Sequence, residues 1–339
     1  MEKLFGKTLE QLSEVVKNAG LPAFTAKQMA DWLYKKNVSS IDDMLNLSKK
    51  ARELLSQNFE VGRSAHVQRK VSKDGTKKYL FTVDGNKSIE SAYIPDEDRA
   101  TLCLSTQVGC KMGCLFCMTG KQGFQGNLTV NEILNQYASL PEKDSITNFV
   151  YMGMGEPFDN LDNVMQSLEL FTADYAYGMS PKRITVSTIG ILPAMKHFLE
   201  HSKCHLAVSM HSPFDEERKR LMPIQSVYTI NEIVQELRLH DFNQQHRLSF
   251  EYIVFKGIND SENHVKEIIR LLKDMDCRVN LIRFHPIPGT PLEGVSDDQM
   301  MKIRNSLTKG GVFTTLRQSR GQDIYAACGL LSTKANRGE

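Results

Sequence analysis

Cys110-Lys-Met-Gly-Cys114-Leu-Phe-Cys117 places three of the chain's seven cysteines within eight residues. A disulfide framework or a closed zinc site asks for an even set, or for a fourth sulfur or histidine nearby. The next residues, Met118-Thr-Gly-Lys-Gln-Gly-Phe124, supply neither. Three thiolates can hold an iron-sulfur cluster and leave one iron open, and an open iron can chelate a ligand through an amine and a carboxylate. The alternative is a zinc loop completed by a remote ligand, although structural zinc sites usually pair C-x2-C units.

Outward from this loop the chain alternates strand and helix. Strands are expected at 101–106, 146–152, 184–187, 206–211, 248–255, 279–284 and 313–318. Amphipathic stretches such as 130–137, 164–171, 264–272 and 298–307 lie between them. Repeated βα units imply a parallel sheet with right-handed crossovers, here an incomplete (β/α)6 barrel with its chemistry where strands end. Upstream, residues 1–95 read as a separate module. Thr8 with Gln11, Thr25 with Gln28 and Ser40 with Asp43 look like helix starts, and Asp74-Gly75 marks a hairpin between alternating stretches, with strands at 79–83 and 88–94. The boundary to a 96–339 core falls at Pro95-Asp-Glu-Asp98.

Composition narrows the class. With 339 residues, 41% hydrophobic and 24% charged, the chain can bury a large core and is not a disordered or membrane protein. The opening MEKLFGKTLEQ has no apolar centre, which predicts a cytoplasmic protein whose thiols stay reduced. A net charge of +2 does not diagnose a nucleic-acid partner. Six basic residues, Arg63, Arg69, Lys70, Lys73, Lys77 and Lys78, face the single acid Asp74 between 61 and 80. That stretch suits either a phosphate-gripping hairpin or a strand edge guarded by lysines.

At the expected strand ends lie Met152-Gly-Met-Gly155-Glu156-Pro157, Ser187-Thr-Ile-Gly190, Ser209-Met210-His211-Ser212 and Arg283-Phe-His285-Pro286. Gly155 and Glu156 suit an ammonium, and the short polar groups suit a ribose or carboxylate. Singly, each is as readily a turn, a cap or a structural histidine. Cys103 shares a face with Ser105 and Gln107 by the period of two, which turns it toward the barrel interior. Cys328 follows the last strand in Arg320-Gly-Gln-Asp-Ile-Tyr-Ala-Ala-Cys328-Gly329. A buried structural thiol is the ordinary reading of either one, and of Cys204 and Cys277.

The cysteine spacing resembles that of the radical S-adenosylmethionine (SAM) enzymes. Nearly the whole chain resembles their RlmN/Cfr family of RNA adenine methyltransferases. The resemblance rests on Tyr93-Ile-Pro-Asp-Glu-Asp-Arg-Ala-Thr-Leu-Cys103, Gln107-Val-Gly-Cys110, Gln122-Gly-Phe124 with Asn127-Leu128, Met152-Gly-Met-Gly-Glu-Pro157, Leu221-Met-Pro-Ile224 and Asp323-Ile-Tyr-Ala-Ala-Cys-Gly329. The leader before Cys103 looks like the RlmN branch, which methylates C2 of adenine in 23S rRNA and in the anticodon loop of tRNA. Ser212-Pro-Phe and Ser187-Thr-Ile-Gly-Ile191 resemble the Cfr branch, which acts on C8.

The resemblance implies a 4Fe-4S cluster on Cys110, Cys114 and Cys117, and SAM contacts at Gly155, Glu156, Ser187, Ser209, Met210, His211 and His285, the last standing where the family often has Asn. It implies that Cys328 takes a methyl group from one SAM and that a second SAM supplies the radical that activates this methyl. Cys103 then releases the product through a transient disulfide with Cys328, and Glu90 accepts the proton. It further implies 23S rRNA and tRNA as partners, an electron donor such as a flavodoxin-type protein, and a monomer away from membranes. The readings that compete are a radical SAM enzyme for a protein or small molecule, and a noncatalytic zinc-containing RNA-binding module.

Overall fold

Strand and helix alternate in the computed structural model as the apolar periodicity requires, and residues 1–83, 87–242 and 246–324 are described. Cys328 lies outside them. The first strands, β1 (Glu2–Lys3) and β2 (Phe59–Glu60), pair in parallel and bracket a helical module of α1 (Leu9–Asn18), α2 (Thr25–Ala30) and α3 (Lys49–Ser56). Thr8 caps α1 in a full capping box with Gln11. Thr25 does not cap α2. Phe24 is the N-cap in helical conformation with no side-chain bond, and the Thr25 N–H already turns back to the Pro22 carbonyl. Ser40 accepts the N–H of Asp42 and starts only a short 3-10 turn.

Next come β3 (Gln68–Val71), β4 (Lys77–Val83), β5 (Lys87–Pro95) and β6 (Ala100–Cys103), joined as an antiparallel ladder. The turn at Asp74-Gly75 is formed, with Gly75 at φ +83°, where a side chain is disfavoured. A short ribbon, β7 (Gln107–Val108) with β8 (Gly126–Asn127), flanks the cysteine loop. From β6 the sheet continues in parallel through β9 (Asn148–Tyr151), β10 (Ile184–Thr188), β11 (His205–Ser209), β12 (Leu248–Val254), β13 (Cys277–Arg283) and β14 (Phe313–Leu316). Every neighbour is the next strand in this series, so six βα units end in a seventh strand. β6 is occupied on its other side by β5 and β14 has no second partner among the described residues, so the barrel stays open.

Alternation along each strand decides what faces the lumen. Leu102 and Leu104, Val186, Leu206 and Val208, Phe250 and Tyr252, and Val279 and Leu281 join the apolar core beneath the outer helices. Cys103, Ser187, Ser209, Glu251 and Asn280 are therefore on the opposite, inner face. The same rule holds in the antiparallel part. Tyr79, Phe81, Ile89 and Tyr93 enter the core, and Lys78, Glu90 and Ala92 share the inner face. No described helix is long and apolar enough to cross a membrane.

Candidate active site

The cysteine loop leaves β7 through Gly109, at φ +70°, where a Cβ would lie 1.7 Å from the Gly123 carbonyl oxygen. Only glycine permits this approach, and it folds the loop back on itself. Cys110 and Cys114 are buried and Cys117 is half-buried. Burial, then the neighbouring Cys117, Glu156 and Asp159 charges, push the Cys110 thiol up to about 12 against the opposing Met112 N–H, and burial pushes Cys114 up further. Three crowded thiols of this kind become thiolates only when a cationic centre compensates them. Beneath lies an apolar nest of Met118, Ile189, Leu221, Met222, Phe255 and Phe284 around Cys114, fastened by the Leu115 N–H to the Leu221 carbonyl. Among the described residues no three His, Cys, Asp or Glu side chains are close enough to hold one metal ion. The donor set, the dry floor and the spacing fit an iron-sulfur cluster.

The strand-end residues gather at the same mouth. Gly155 has φ +98° and no room for a Cβ, which would lie 2.5 Å from the Gln107 side chain. Glu156 is buried, and its carboxylate already accepts from the Thr188 hydroxyl at 2.6 Å and the N–H groups of Ile189 and Phe158 at 3.0 and 3.1 Å. Burial lifts it to about 7 against those donors. The hydroxyls of Ser187 and Ser209 face the lumen and make no hydrogen bond to a described residue. Met210 is fully buried in the core. His211 sits at φ +54°, a strained conformation for a non-glycine residue. Its Nδ1 accepts the Ile253 N–H at 3.0 Å, so the neutral ring carries its proton on Nε2. Burial and then Arg218 depress its protonation to about 3. Phe116, between two of the cysteines, packs edge-on against this ring at 4.7 Å. His285 buries an Nε2 that has no hydrogen-bond partner among the described residues. Unmatched hydroxyls and an unmatched imidazole nitrogen beside the loop fit a polar cofactor such as SAM.

Sequence reasoning missed what holds this mouth in place. Arg218 is fully buried and donates to the carbonyls of Ile189 at 2.9 Å, Ser209 at 3.1 Å and Met210 at 3.2 Å, and to Gln225. One guanidinium thus ties the ends of β10 and β11 together beside Cys114. In Asp215-Glu-Glu-Arg218-Lys-Arg it reads as a solvated helix face. Asn259 likewise joins the His211 and Ile253 carbonyls and the Phe255 N–H. Deeper in the lumen, Glu251 accepts from Asn280 at 2.7 Å, and Asn280 accepts from Thr315 at 2.6 Å.

Part of the basic stretch at 61–80 is engaged within the protein. Lys78 and Glu90 form a buried ion pair at 2.5 Å, with each side chain 2% exposed. Lys77 binds Glu142 at 2.6 Å, and Arg63 donates to Asn37 and to the Ala138 carbonyl. Half of the basic stretch is therefore internal, and Glu90 is no exposed strand carboxylate. Ala92 pairs with Cys103 across the ladder, and the Ser105 hydroxyl donates to the Glu90 carbonyl at 2.5 Å. Glu90 and Cys103 thus share one face of adjoining strands. At the hairpin tip, Asp74 accepts the Gly321 N–H at 2.7 Å, and Asp323 accepts the Ser72 hydroxyl at 2.5 Å and the Lys73 N–H at 3.1 Å.

Comparison with known proteins agrees with this geometry. Residues 104–272 match the Radical SAM superfamily, and residues 2–61 match the Ribosomal RNA large subunit methyltransferase N-terminal domain. The chain is 58% identical to the probable dual-specificity RNA methyltransferase RlmN of Bacteroides fragilis over 97% of this chain and 96% of that one. It is 38% identical to the dual-specificity RNA methyltransferase RlmN of Marinobacter nauticus, over 97% and 92%. A radical SAM methyltransferase crystal structure from Sphaerobacter thermophilus superposes with a TM-score of 0.90 at 34% identity, covering 97% of this chain and 98% of that one.

Proposed function

The chain belongs to the RlmN family of radical SAM RNA methyltransferases, and from that premise we propose that it methylates C2 of a specific adenine in 23S rRNA and of an adenine in the anticodon loop of tRNA. The reaction consumes two SAM molecules and passes through a methylated Cys328. A 4Fe-4S cluster is held by Cys110, Cys114 and Cys117. SAM is held by Gly155, Glu156, Ser187, Ser209, Met210 and His211, with His285 at the rim. Together these groups supply one-electron sulfonium cleavage and hydrogen abstraction.

The protein's own residues do the rest. Cys328 carries the methyl-derived carbon to the base. Glu90 receives the proton lost from the adenine carbon. The Cys103 thiolate attacks the Cys328 sulfur, breaks its bond to the product carbon and leaves a Cys103 to Cys328 disulfide. The target base must leave its stack to enter the lumen, which favours loops. A reduced cytoplasm, a flavodoxin-type electron donor and a monomeric enzyme complete the reading.

The observation that carries it is the placement of Glu90 and Cys103 on one inner face beside the mouth. Anaerobic turnover with an RNA hairpin, followed by nucleoside mass spectrometry, tests it. 2-Methyladenosine is the expected product. 8-Methyladenosine would assign the chain to Cfr-type chemistry, and unmethylated RNA despite SAM cleavage would reject an RNA substrate of this kind.

A further inference from the structure

The tip of the β3–β4 hairpin and the chain that follows β14 hold each other by exchanged hydrogen bonds. Asp74, in the turn, takes the Gly321 N–H, and Asp323, in the tail, takes the Ser72 hydroxyl and the Lys73 N–H. Arg320 adds an ion pair with Asp96 at 3.0 Å. Among the described residues neither Asp74 nor Asp323 forms an ion pair; Asp74 divides its two oxygens between Gly321 and the Thr76 N–H of its own turn, while Asp323 turns both of its oxygens to the hairpin. The Ser72 hydroxyl, then the Lys73 N–H, hold Asp323 below the usual carboxylate range. Apart from the Asp74 side chain, the turn is braced by Ser72 N–H to the Thr76 carbonyl at 2.8 Å and Gly75 N–H to the Ser72 carbonyl at 3.1 Å.

We propose that this contact is a clasp that positions the chain leading to Cys328, so that Asp74 and Asp323 are positioning residues for the sulfur that carries the methyl group. The proposal rests on the role given to Cys328 above. Cys328 is five positions beyond Asp323, a reach of at most roughly 17 Å when extended. Without the clasp, the last main-chain hold is the Arg317 N–H on the Leu281 carbonyl at 2.9 Å. Cys328 is then eleven positions from the last hold, a contour length of roughly 37 Å. Effective concentration falls as about the 3/2 power of chain length, and (11/5) to that power is about threefold. The hairpin is thereby given a use other than phosphate binding.

The test measures closure of the Cys103 to Cys328 disulfide in anaerobic holoenzyme treated with 4,4′-dithiodipyridine, which takes up the two electrons as thiopyridone. Peptide mass spectrometry quantifies the bond with time. Asp74→Ala combined with Asp323→Ala and Arg320→Ala is expected to close it about threefold more slowly and to lose amide-exchange protection at Lys73 and Gly321. Asp323→Asn keeps an oxygen acceptor and is expected to stay near the parent rate. Equal rates in parent and triple variant, with protection lost, would overturn the clasp alone. A parent that never forms the bond under conditions that label both thiols would overturn the two-sulfur reading and the clasp with it.

Discussion

Replacing Lys78 by Met exposes how much the inner face of the hairpin depends on one ion pair. The Nζ to Oε2 distance is 2.5 Å and both side chains are 2% exposed. At an effective dielectric of 20 the attraction is ~7 kcal/mol, and the desolvation of two ions, several kcal/mol each, offsets most of it. The net worth of the intact pair is therefore small, but Lys78→Met removes the cation paired with the buried Glu90 carboxylate, and breaking one side of such a pair costs about 3–5 kcal/mol. At ~2 °C per kcal/mol, the lower end for a chain of this size, the melting temperature should fall roughly 6–10 °C. Lys78→Met combined with Glu90→Gln removes both charges and should recover at least half of that loss. Differential scanning calorimetry of the three variants beside the parent gives the cycle. A Lys78→Met protein within 2 °C of the parent, or a double variant no better than the single one, would refute the reasoning.

Other outcomes follow from the same geometry. Arg218→Lys keeps a charge but cannot span the carbonyls of Ile189, Ser209 and Met210, and each orphaned acceptor costs about 1–3 kcal/mol; equilibrium dialysis should show SAM affinity reduced at least ~10-fold. Gly109→Ala places a methyl against the Gly123 carbonyl, and iron and sulfide analysis of anaerobic protein should find the cluster largely lost. Glu156 is lifted by burial from 4.5 to about 7, so the fold binds its proton more tightly than the unfolded chain does. Stability from this group is thus highest below pH 4.5 and declines until pH 7, by ~3 kcal/mol. Glu156→Gln should flatten the difference in stability between pH 4.5 and 7 in cluster-free, SAM-free protein, and an unchanged slope would assign the dependence to another residue. Cys114→Ala should lose the iron and sulfide that the parent binds in stoichiometric amounts.

The parallel strands were legible because their outward residues alternate with polar ones and because several runs end in or soon reach glycine or serine, as at Gly153, Gly190 and Ser209. Their ends were less so: the expected 101–106 strand stops at Cys103, because Thr106 and Gln107 turn instead to the Met154 carbonyl. Thr25 misled because the chain is already helical at Phe24. The cysteine spacing announced its own chemistry. Arg218 did not, since six consecutive charged residues look solvated and only the meeting of β10 with β11 buries one of them. Lys78 failed for the same reason, as strand register rather than residue type decides which lysine faces inward. Glu90 and Cys103 could be named separately from the sequence, but their common face comes from antiparallel pairing thirteen residues apart along the chain.

The ladder that runs without interruption from β3 to β14 makes the N-terminal hairpin inseparable from the lumen it borders. One inserted or deleted residue in β5 after Glu90, or in β6 before Cys103, would rotate the acid or the thiol to the far side unless a bulge absorbed it. Changes of length in evolution or in engineering are therefore best accommodated in the loops outside those segments, and grafting the hairpin onto another barrel would succeed only if the recipient's first strand were replaced along with it.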